Sequence, residues 1–273
     1  MRLVRASAVL VAACYSPTVQ QGAPCSGVTD VCPSPQTCQL SNGQYMCTST
    51  PQDGQTLDAA LGDAAFDRDA ADAAALSVIG VAQATADDST AAVNALALTD
   101  QVQVHDAIIV CFTFPSGKTT LVSIDDSLGN AYAVVAGPVT SNGYLHYIAI
   151  AADSPAGSDT VTVTLSDASF DWELLALEYT GLSLTRPFDV DAYDSGTGSA
   201  MSSGSAMTTS PHELLFAYGH SSAPMVGSGF TLRDSEGDSI VEDAVVFTTG
   251  DYDATASTTA GIWTLILATF AGR

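Results

Sequence analysis

The six cysteines carry the most specific chemistry in this 273-residue chain. Four of them fall within 23 residues, and these are Cys25, Cys32, Cys38 and Cys47. Their segment is rich in Pro and Gly but has few large apolar side chains, and small segments of this kind usually depend on covalent cross-links. A tetrathiolate zinc site is the alternative, but the Cys-x-x-Cys pairs usual for zinc are missing. We therefore predict two disulfides, in any of three pairings.

Cys14 ends a short N-terminal segment that has the features of an export signal. Arg2 and Arg5 supply positive charge, and the apolar stretch over residues 6–13 is too short to span a bilayer. Small residues come directly before the cysteine in Val11-Ala12-Ala13-Cys14. This pattern resembles the lipobox of bacterial lipoproteins. The resemblance implies that residues 1–13 are a signal peptide, that cleavage occurs before Cys14, and that the Cys14 thiol is acylated.

The next two segments are expected to be a small Cys-rich module, residues 14–50, and a linker, residues 51–75. The linker is mostly Ala and Asp, with too few large apolar residues to offset the entropy cost of ordering, so we predict a disordered tether. Lipobox, Cys-rich module and Ala/Asp spacer together resemble surface lipoproteins of myxobacteria and related predatory or gliding bacteria. Tyr15 replaces the Asp that retains many such proteins at the inner membrane, which favours the outer membrane or cell surface.

The charge of the chain excludes one class of partner. Thirty Asp and Glu oppose seven Lys and Arg, for a formal charge of −23, and loss of Arg2 and Arg5 with the signal makes it −25. Nucleic acid and anionic lipid surfaces would be repelled by such a chain. The expected partners are the membrane, through the lipid anchor, and a glycan or protein ligand.

Residues 76–273 are predicted to form one all-β domain, an antiparallel two-sheet β-sandwich of jelly-roll-like type. Short β-branched and aromatic runs recur between turn clusters, as in sandwiches. No run has helical periodicity, which excludes doubly wound and barrel α/β folds. The expected strands are 76–82, 107–114, 119–124, 131–135, 145–151, 160–165, 172–179, 213–218, 240–248 and 261–270.

Three segments of this domain resemble a module repeated in large secreted proteins of bacteria. They are Val122–Tyr132, Leu177–Leu182 and Trp263–Phe270. The resemblance implies a jelly-roll-like or immunoglobulin-like sandwich with an adhesive or accessory role. Within the first segment, Asp126–Asn130 is predicted to be a hairpin loop in which Gly129 takes a positive φ.

Acidic clusters are the candidates for a metal ion. Asp189, Asp191 and Asp194 form one cluster, Asp234–Asp238 a second, and Asp251 with Asp253 a third. Calcium takes six to eight oxygen ligands, commonly from loops, but none of the clusters has EF-hand spacing. A structural calcium ion stays open, no other cofactor is expected, and turn chemistry alone accounts for acids in loops.

No catalytic residue is assigned from the sequence. Gly219–Ala223 is similar to a nucleophile elbow, but the last glycine is missing and the following residues are not expected to begin a helix. The four histidines are scattered, and with 30 acids no carboxylate pair, including Asp171 with Glu173, is preferred. Glu178 lies in an apolar strand, where burial raises a carboxyl pKa, and we expect it to hydrogen-bond a neighbouring loop.

Three buried positions are expected to be structural. Cys111 lies in an apolar run and is predicted to be a buried free thiol, and Trp172 and Trp263 are predicted to pack in the core. The expected function is a membrane-anchored binding or adhesion module, with glycans as the first ligand class. A polysaccharide hydrolase with unidentified carboxylates and a purely structural envelope protein stay open as alternatives.

Overall fold

A computed structural model describes residues 36–41, 44–49, 77–82 and 91–273, and every described element is a β-strand. The chain divides into two units, 1–65 and 66–273. The strands are β1 (Gln36–Ser41), β2 (Gln44–Ser49), β3 (Ser77–Ala82), β4 (Ala91–Ala97), β5 (Asp106–Pro115), β6 (Leu121–Asp126), β7 (Ala133–Ser141), β8 (Tyr144–Ser154), β9 (Thr160–Ser169), β10 (Glu173–Thr180), β11 (Phe188–Thr197), β12 (Ala200–Met207), β13 (Glu213–His220), β14 (Thr231–Glu236), β15 (Ser239–Val246), β16 (Asp251–Ser257) and β17 (Ile262–Ala271).

The second unit is built around two five-stranded antiparallel sheets. Central sheet 1 has the order β3-β10-β5-β8-β7, and central sheet 2 has the order β11-β17-β13-β15-β14. Their facing sides share one core, to which Ile109, Ile148 and Leu175 contribute from sheet 1 and Phe216 and Ile266 from sheet 2. The predicted all-β class with a packed antiparallel sandwich is thereby confirmed.

A smaller sheet covers the outer face of each central sheet. Outer sheet 1 has the order β4-β9-β6 and packs on central sheet 1, with Val161 and Val163 against Val110. Outer sheet 2 pairs β12 with β16 and packs on central sheet 2, with Met201 against Leu265. The strands at the middle of the central sheets are therefore covered on both faces. This explains their continuous apolar runs, since strands buried on both faces do not alternate.

The two halves of this unit have the same topology. Strands β3, β10, β5, β8 and β7 of sheet 1 correspond in order to β11, β17, β13, β15 and β14 of sheet 2. Bulges fall at the same place, after Val134 in β7 and after Leu232 in β14. In the outer sheets β4 and β9 correspond to β12 and β16. The counterpart of β6 is reduced to one bridge between Met225 and Ser257.

The sequence carries a trace of this duplication. Trp172 and Gly181 are nine residues apart in the first half, as are Trp263 and Gly272 in the second. In each half the central strand begins just after a histidine, with the pairs His105-Asp106 and His212-Glu213. Near the C-terminus the two halves meet, where the backbone N–H of Arg273 donates to the Gly181 carbonyl at 2.9 Å.

All ten expected strands are present, but the Asp126–Asn130 hairpin is wrong. Strand β6 belongs to outer sheet 1 and β7 to central sheet 1, so the turn links two layers. Asp126 organises it: Oδ1 accepts the Asn130 N–H at 2.9 Å and Oδ2 accepts the Tyr132 hydroxyl at 2.9 Å. Gly129 has the expected positive φ, 79°. A carboxylate that binds the turn backbone thus fixes a layer change, not a hairpin.

The described part of the first unit is the hairpin β1–β2, in which Cys38 is the register partner of Cys47. Cys14, Cys25 and Cys32 lie outside the described residues, as do the expected signal peptide and the whole of the expected linker. Among the described residues there is no helix of the length and apolarity needed to cross a membrane.

Candidate functional site

At one end of the central core, six polar side chains replace the apolar ones. From central sheet 1 they are Thr113, His146 and Glu173, and from central sheet 2 they are His220, Ser239 and Thr264. In each sheet these three residues are cross-strand neighbours, with Thr113 between His146 and Glu173 and with His220 between Ser239 and Thr264. We call this set the polar layer. The polar layer contains matching positions from both halves, because the core-facing side chains of both central sheets change from apolar to polar at the same register.

The two rows of the polar layer face each other. The rings of His146 and His220 are 5.1 Å apart between centroids, and Tyr144 lies 5.1 Å from His220 and 6.4 Å from His146. His146 is 1% exposed and His220 is 9% exposed. Below them, the Tyr218 hydroxyl and Ser239 Oγ are 3.1 Å apart and hydrogen-bonded. The layer therefore closes the core with aromatic and hydroxyl groups that have both apolar surface and hydrogen-bonding atoms.

Glu173 joins the two central sheets at this end. Its Oε1 accepts the backbone N–H of Asp238, in the turn between β14 and β15, at 3.2 Å, and the Ser239 side chain also binds the carboxyl group. Gly237 has a φ of 57°, and a Cβ there would collide with Glu173 Oε1. Glycine at this turn permits both the left-handed backbone and the close approach of the carboxylate.

Acids and aromatic rings lie at the surface next to the polar layer. The Tyr144 hydroxyl donates to Asp171 Oδ2, and Asp171 itself has a positive φ of 52°. Phe170, the residue before it, is 61% exposed. Asp238 supplies a second exposed acid from the other sheet. We call Tyr144, Phe170, Asp171 and Asp238 the rim.

Burial sets the protonation of the site. Desolvation lowers the pKa of His146 to about 3, with a further lowering by His220, and it also lowers the pKa of His220. Desolvation raises the pKa of Glu173, and Asp238 and Asp171 raise it further. The hydrogen bond to Asp171 raises the pKa of Tyr144 to about 12. At pH 7 both imidazoles are therefore neutral, and each ring has one donor and one acceptor nitrogen.

Three buried polar atoms of the layer have no hydrogen-bond partner: Nδ1 and Nε2 of His146 and Oε2 of Glu173. The Ser141 backbone opposes the lowering of the His146 pKa, but neither ring nitrogen reaches hydrogen-bond geometry with it. Buried polar groups are nearly always paired, because an unpaired one costs about 1–3 kcal/mol. The polar layer thus offers unused donors and acceptors directly beneath the rim.

Two buried acids outside the polar layer, Glu178 and Glu242, bind connecting loops. Glu178 accepts the backbone N–H of Gln103 at 2.7 Å, and burial raises its pKa to about 7, so the expected loop hydrogen bond is confirmed. Glu242 accepts the backbone N–H of Gly227 at 2.7 Å, and burial likewise raises its pKa to about 7. Both carboxyl groups bind connecting loops, Glu178 at the opposite end of the core from the polar layer.

A hydrogen-bond network around Asp243 crosses the central core. Asp243 on β15 is 2% exposed. It accepts hydrogen bonds from Arg233 Nε and from the Tyr179 hydroxyl, both at 2.8 Å. The guanidinium makes a second contact to Asp243 at 2.8 Å through Nη2, which is the bidentate geometry that Arg favours with carboxylates. Because Tyr179 belongs to the other sheet, this network fixes how the two sheets are aligned.

The structure separates the acids proposed for calcium. Asp189, Asp191 and Asp194 lie along β11, and Asp251 and Asp253 lie on β16, so they are strand residues and not loop residues. In the remaining cluster, Asp234 on β14 is buried, whereas Asp238 in the following turn is exposed. Across the described ranges, no three His, Cys, Asp or Glu side chains are grouped as a metal site.

The remaining candidates behave as the sequence indicates. Cys111 is a buried free thiol, and burial raises its pKa well above the usual value. Trp172 and Trp263 pack in cores, at 0% and 8% exposure. The Ser221 hydroxyl points to the Met201 sulfur at 3.5 Å, so Gly219–Ala223 is not arranged as a nucleophile elbow.

Sequence reasoning missed the polar layer. His146 and His220 are 74 positions apart, and no motif spacing links them. One signal was available: His146 and Glu173 each occupy the polar end of an otherwise apolar strand. With the duplication recognised, the matched registers of the two halves place these polar ends together.

No family model, no curated protein and no solved structure matches this chain.

Proposed function

We propose that this protein is a lipid-anchored surface module that binds glycans at the polar layer and rim. The observation that carries the proposal is His146, a buried side chain whose two ring nitrogens are both without partners and whose ring lies beside His220 and the rim residue Tyr144. A ligand with several hydroxyl groups supplies both donors and acceptors to such atoms. Saccharides are the class of extracellular molecule with that property.

The rim has the composition that sugar recognition requires. Tyr144 and Phe170 offer aromatic surface for the apolar face of a pyranose ring, while Asp171 and Asp238 accept hydroxyl protons. Tyr144 is held in place because its hydroxyl donates to Asp171 and its ring packs on His220. A pre-organised aromatic group loses little entropy on binding, which favours affinity for weakly binding ligands such as sugars.

Glycan binding is tested with the full chain carrying Cys14→Ser, so that it stays free of lipid, on a glycan array followed by titration calorimetry. Tyr144→Ala is expected to weaken binding about tenfold or more, since it removes both ring surface and the Asp171 contact. Tyr193→Ala is the matched control, because Tyr193 is exposed on β11, the edge strand of central sheet 2 opposite β14. Absence of binding to every glycan class, or an equal loss in both variants, contradicts the proposal.

Glycoside hydrolysis is a second candidate because Asp171 and Glu173 belong to the same site. Desolvation raises the pKa of Glu173, as a general acid requires, and its Oε2 is unpartnered. Release of reducing ends from a bound polysaccharide, abolished in Glu173→Gln, would favour an enzyme. Binding without product release favours the adhesive module.

The anchor proposal rests on the lipobox-like sequence before Cys14. Metabolic labelling with palmitate, compared between the parent chain and Cys14→Ser, tests it directly. Label is expected in the parent alone, in the outer-membrane fraction. Equal labelling of the two chains contradicts the anchor and leaves glycan binding untouched.

A further inference from the structure

The charges around the rim are all of one sign. Asp171, Glu173 and Asp238 lie close enough together that Asp171 and Asp238 raise the pKa of Glu173, and all three raise the pKa of Tyr144. Among the described residues, ion pairs form only between His105 and Asp153 and between Arg233 and Asp243, so these three acids have no cationic partner. The negative charge of the rim and of Glu173 is therefore not compensated by a cation.

The histidines do not neutralise this charge. His146 is buried and sits beside His220, and both rings are neutral at pH 7 because burial disfavours the imidazolium. They contribute hydrogen-bonding atoms and aromatic surface, but no positive charge. A uronate or sulfated sugar would meet two or three carboxylates without an opposing cation, and like charges at this distance repel each other.

We propose that the site selects saccharides that carry a protonated amine, such as unacetylated amino sugars. This rests on the proposed glycan-binding function and names its ligand class. The sugar ring packs on the exposed Phe170, and the ammonium group lies at the exposed Asp171 and Asp238. The Tyr144 ring adds a cation–π contact to the same group.

The prediction has a matched ligand set that differs mainly in charge. Oligomers of glucosamine, N-acetylglucosamine and glucuronic acid of equal length are compared by titration calorimetry with the full chain carrying Cys14→Ser. The glucosamine oligomer is expected to bind about tenfold more tightly than its acetylated counterpart, since one charge-assisted contact is gained. The glucuronic acid oligomer is expected to show no measurable binding. Added salt should weaken only the amine-bearing ligand, because screening acts on the charge.

Asp171→Asn tests the residue assignment. Asparagine tolerates the positive φ of position 171, so this variant is expected to fold. It should reduce the ratio of amine to acetylated affinity about tenfold while it retains binding of the acetylated oligomer. Asp125→Asn is the control, since Asp125 is an exposed acid on β6 at the opposite end of the domain.

Three outcomes overturn the inference in distinguishable ways. Equal affinity for amine-bearing and acetylated oligomers removes the charge preference and leaves the glycan site intact. Binding of a lysine-rich peptide without binding of glucosamine oligomers reassigns the site to a basic protein ligand. Absence of binding to any saccharide refutes the proposed function itself.

Discussion

The buried imidazole of His146 should make the protein lose stability in mild acid. Desolvation lowers its pKa to about 3, from the 6.5 expected of an unfolded chain. Between these values the unfolded state binds a proton that the folded state does not. Stability due to the neutral ring is therefore fully present above pH 6.5 and is lost as pH falls toward 3.

The magnitude follows from the width of this window. Each pH unit within it costs about 1.4 kcal/mol, so lowering the pH from 7.5 to 4.5 should remove roughly 2–3 kcal/mol. That is a large share of the stability of a typical domain. His146→Leu keeps a similar volume and removes the titration, so its stability should change less over the same pH range.

The assay is chemical denaturation at pH 7.5 and 4.5, with the difference in unfolding free energy between parent and variant as the readout. Thr113→Val is the matched control, because Thr113 is the cross-strand neighbour of His146, is equally buried and carries no ionisable proton. Its effect on stability should be the same at both pH values. If the His146→Leu difference is also independent of pH, the buried-imidazole reasoning is wrong.

Three further predictions concern other parts of the chain. Glu242→Gln should reduce the loss of stability that the parent shows as the pH rises. Burial raises the Glu242 pKa to about 7, so the stability from its neutral form is present below pH 4.5 and is lost as pH rises through 7, by about 2 kcal/mol in the parent. Chemical denaturation at pH 5 and 8 that shows no such difference between parent and variant would contradict this prediction. Gly227→Ala should lower the free energy of unfolding by about 3 kcal/mol in a thermal denaturation, because a Cβ there overlaps a backbone carbonyl of β16. Gly117→Ala is the control and should leave stability unchanged, because a Cβ at Gly117 would lie in open space. Peptide mass mapping should find Cys38 linked to Cys47, because the two are register partners in the β1–β2 hairpin. Directly opposed strand residues lie about 4.5–5.5 Å apart between Cα atoms, which is within the range of disulfides. Any other pairing of Cys38 or Cys47 would contradict this prediction.

The central strands were predictable because their sequences carry the signal of burial. Ala107–Phe114 and Trp263–Phe270 are continuous apolar runs, and Thr160–Leu165 alternates between apolar and polar residues as a half-buried strand does. The chemistry of the turn at Gly129 and the burial of Glu178 followed from the same local patterns. Each of these depends on near neighbours in the chain.

Strands at the periphery were not predictable in this way. Strands β11, β12 and β16 are rich in Asp, Ser, Gly and Thr, and most of their residues are exposed or half-buried. Their composition is typical of loops, so composition alone predicts loops at Asp189–Asp194 and at Asp251 with Asp253. Backbone pairing with an apolar neighbour, as between β11 and β17, makes them strands despite their composition.

The sequence by itself determined the all-β class, the central strands, the acidic character and the expectation of an exported, lipid-anchored chain. Only the tertiary structure decided that the domain is duplicated, that its sheets are stacked in layers, and that His146, Glu173 and His220 meet. The physical reason is that periodicity records which face of a strand is buried, but not which strand lies opposite. Contacts between residues far apart in the chain depend on how whole sheets pack, and the candidate site consists of such contacts.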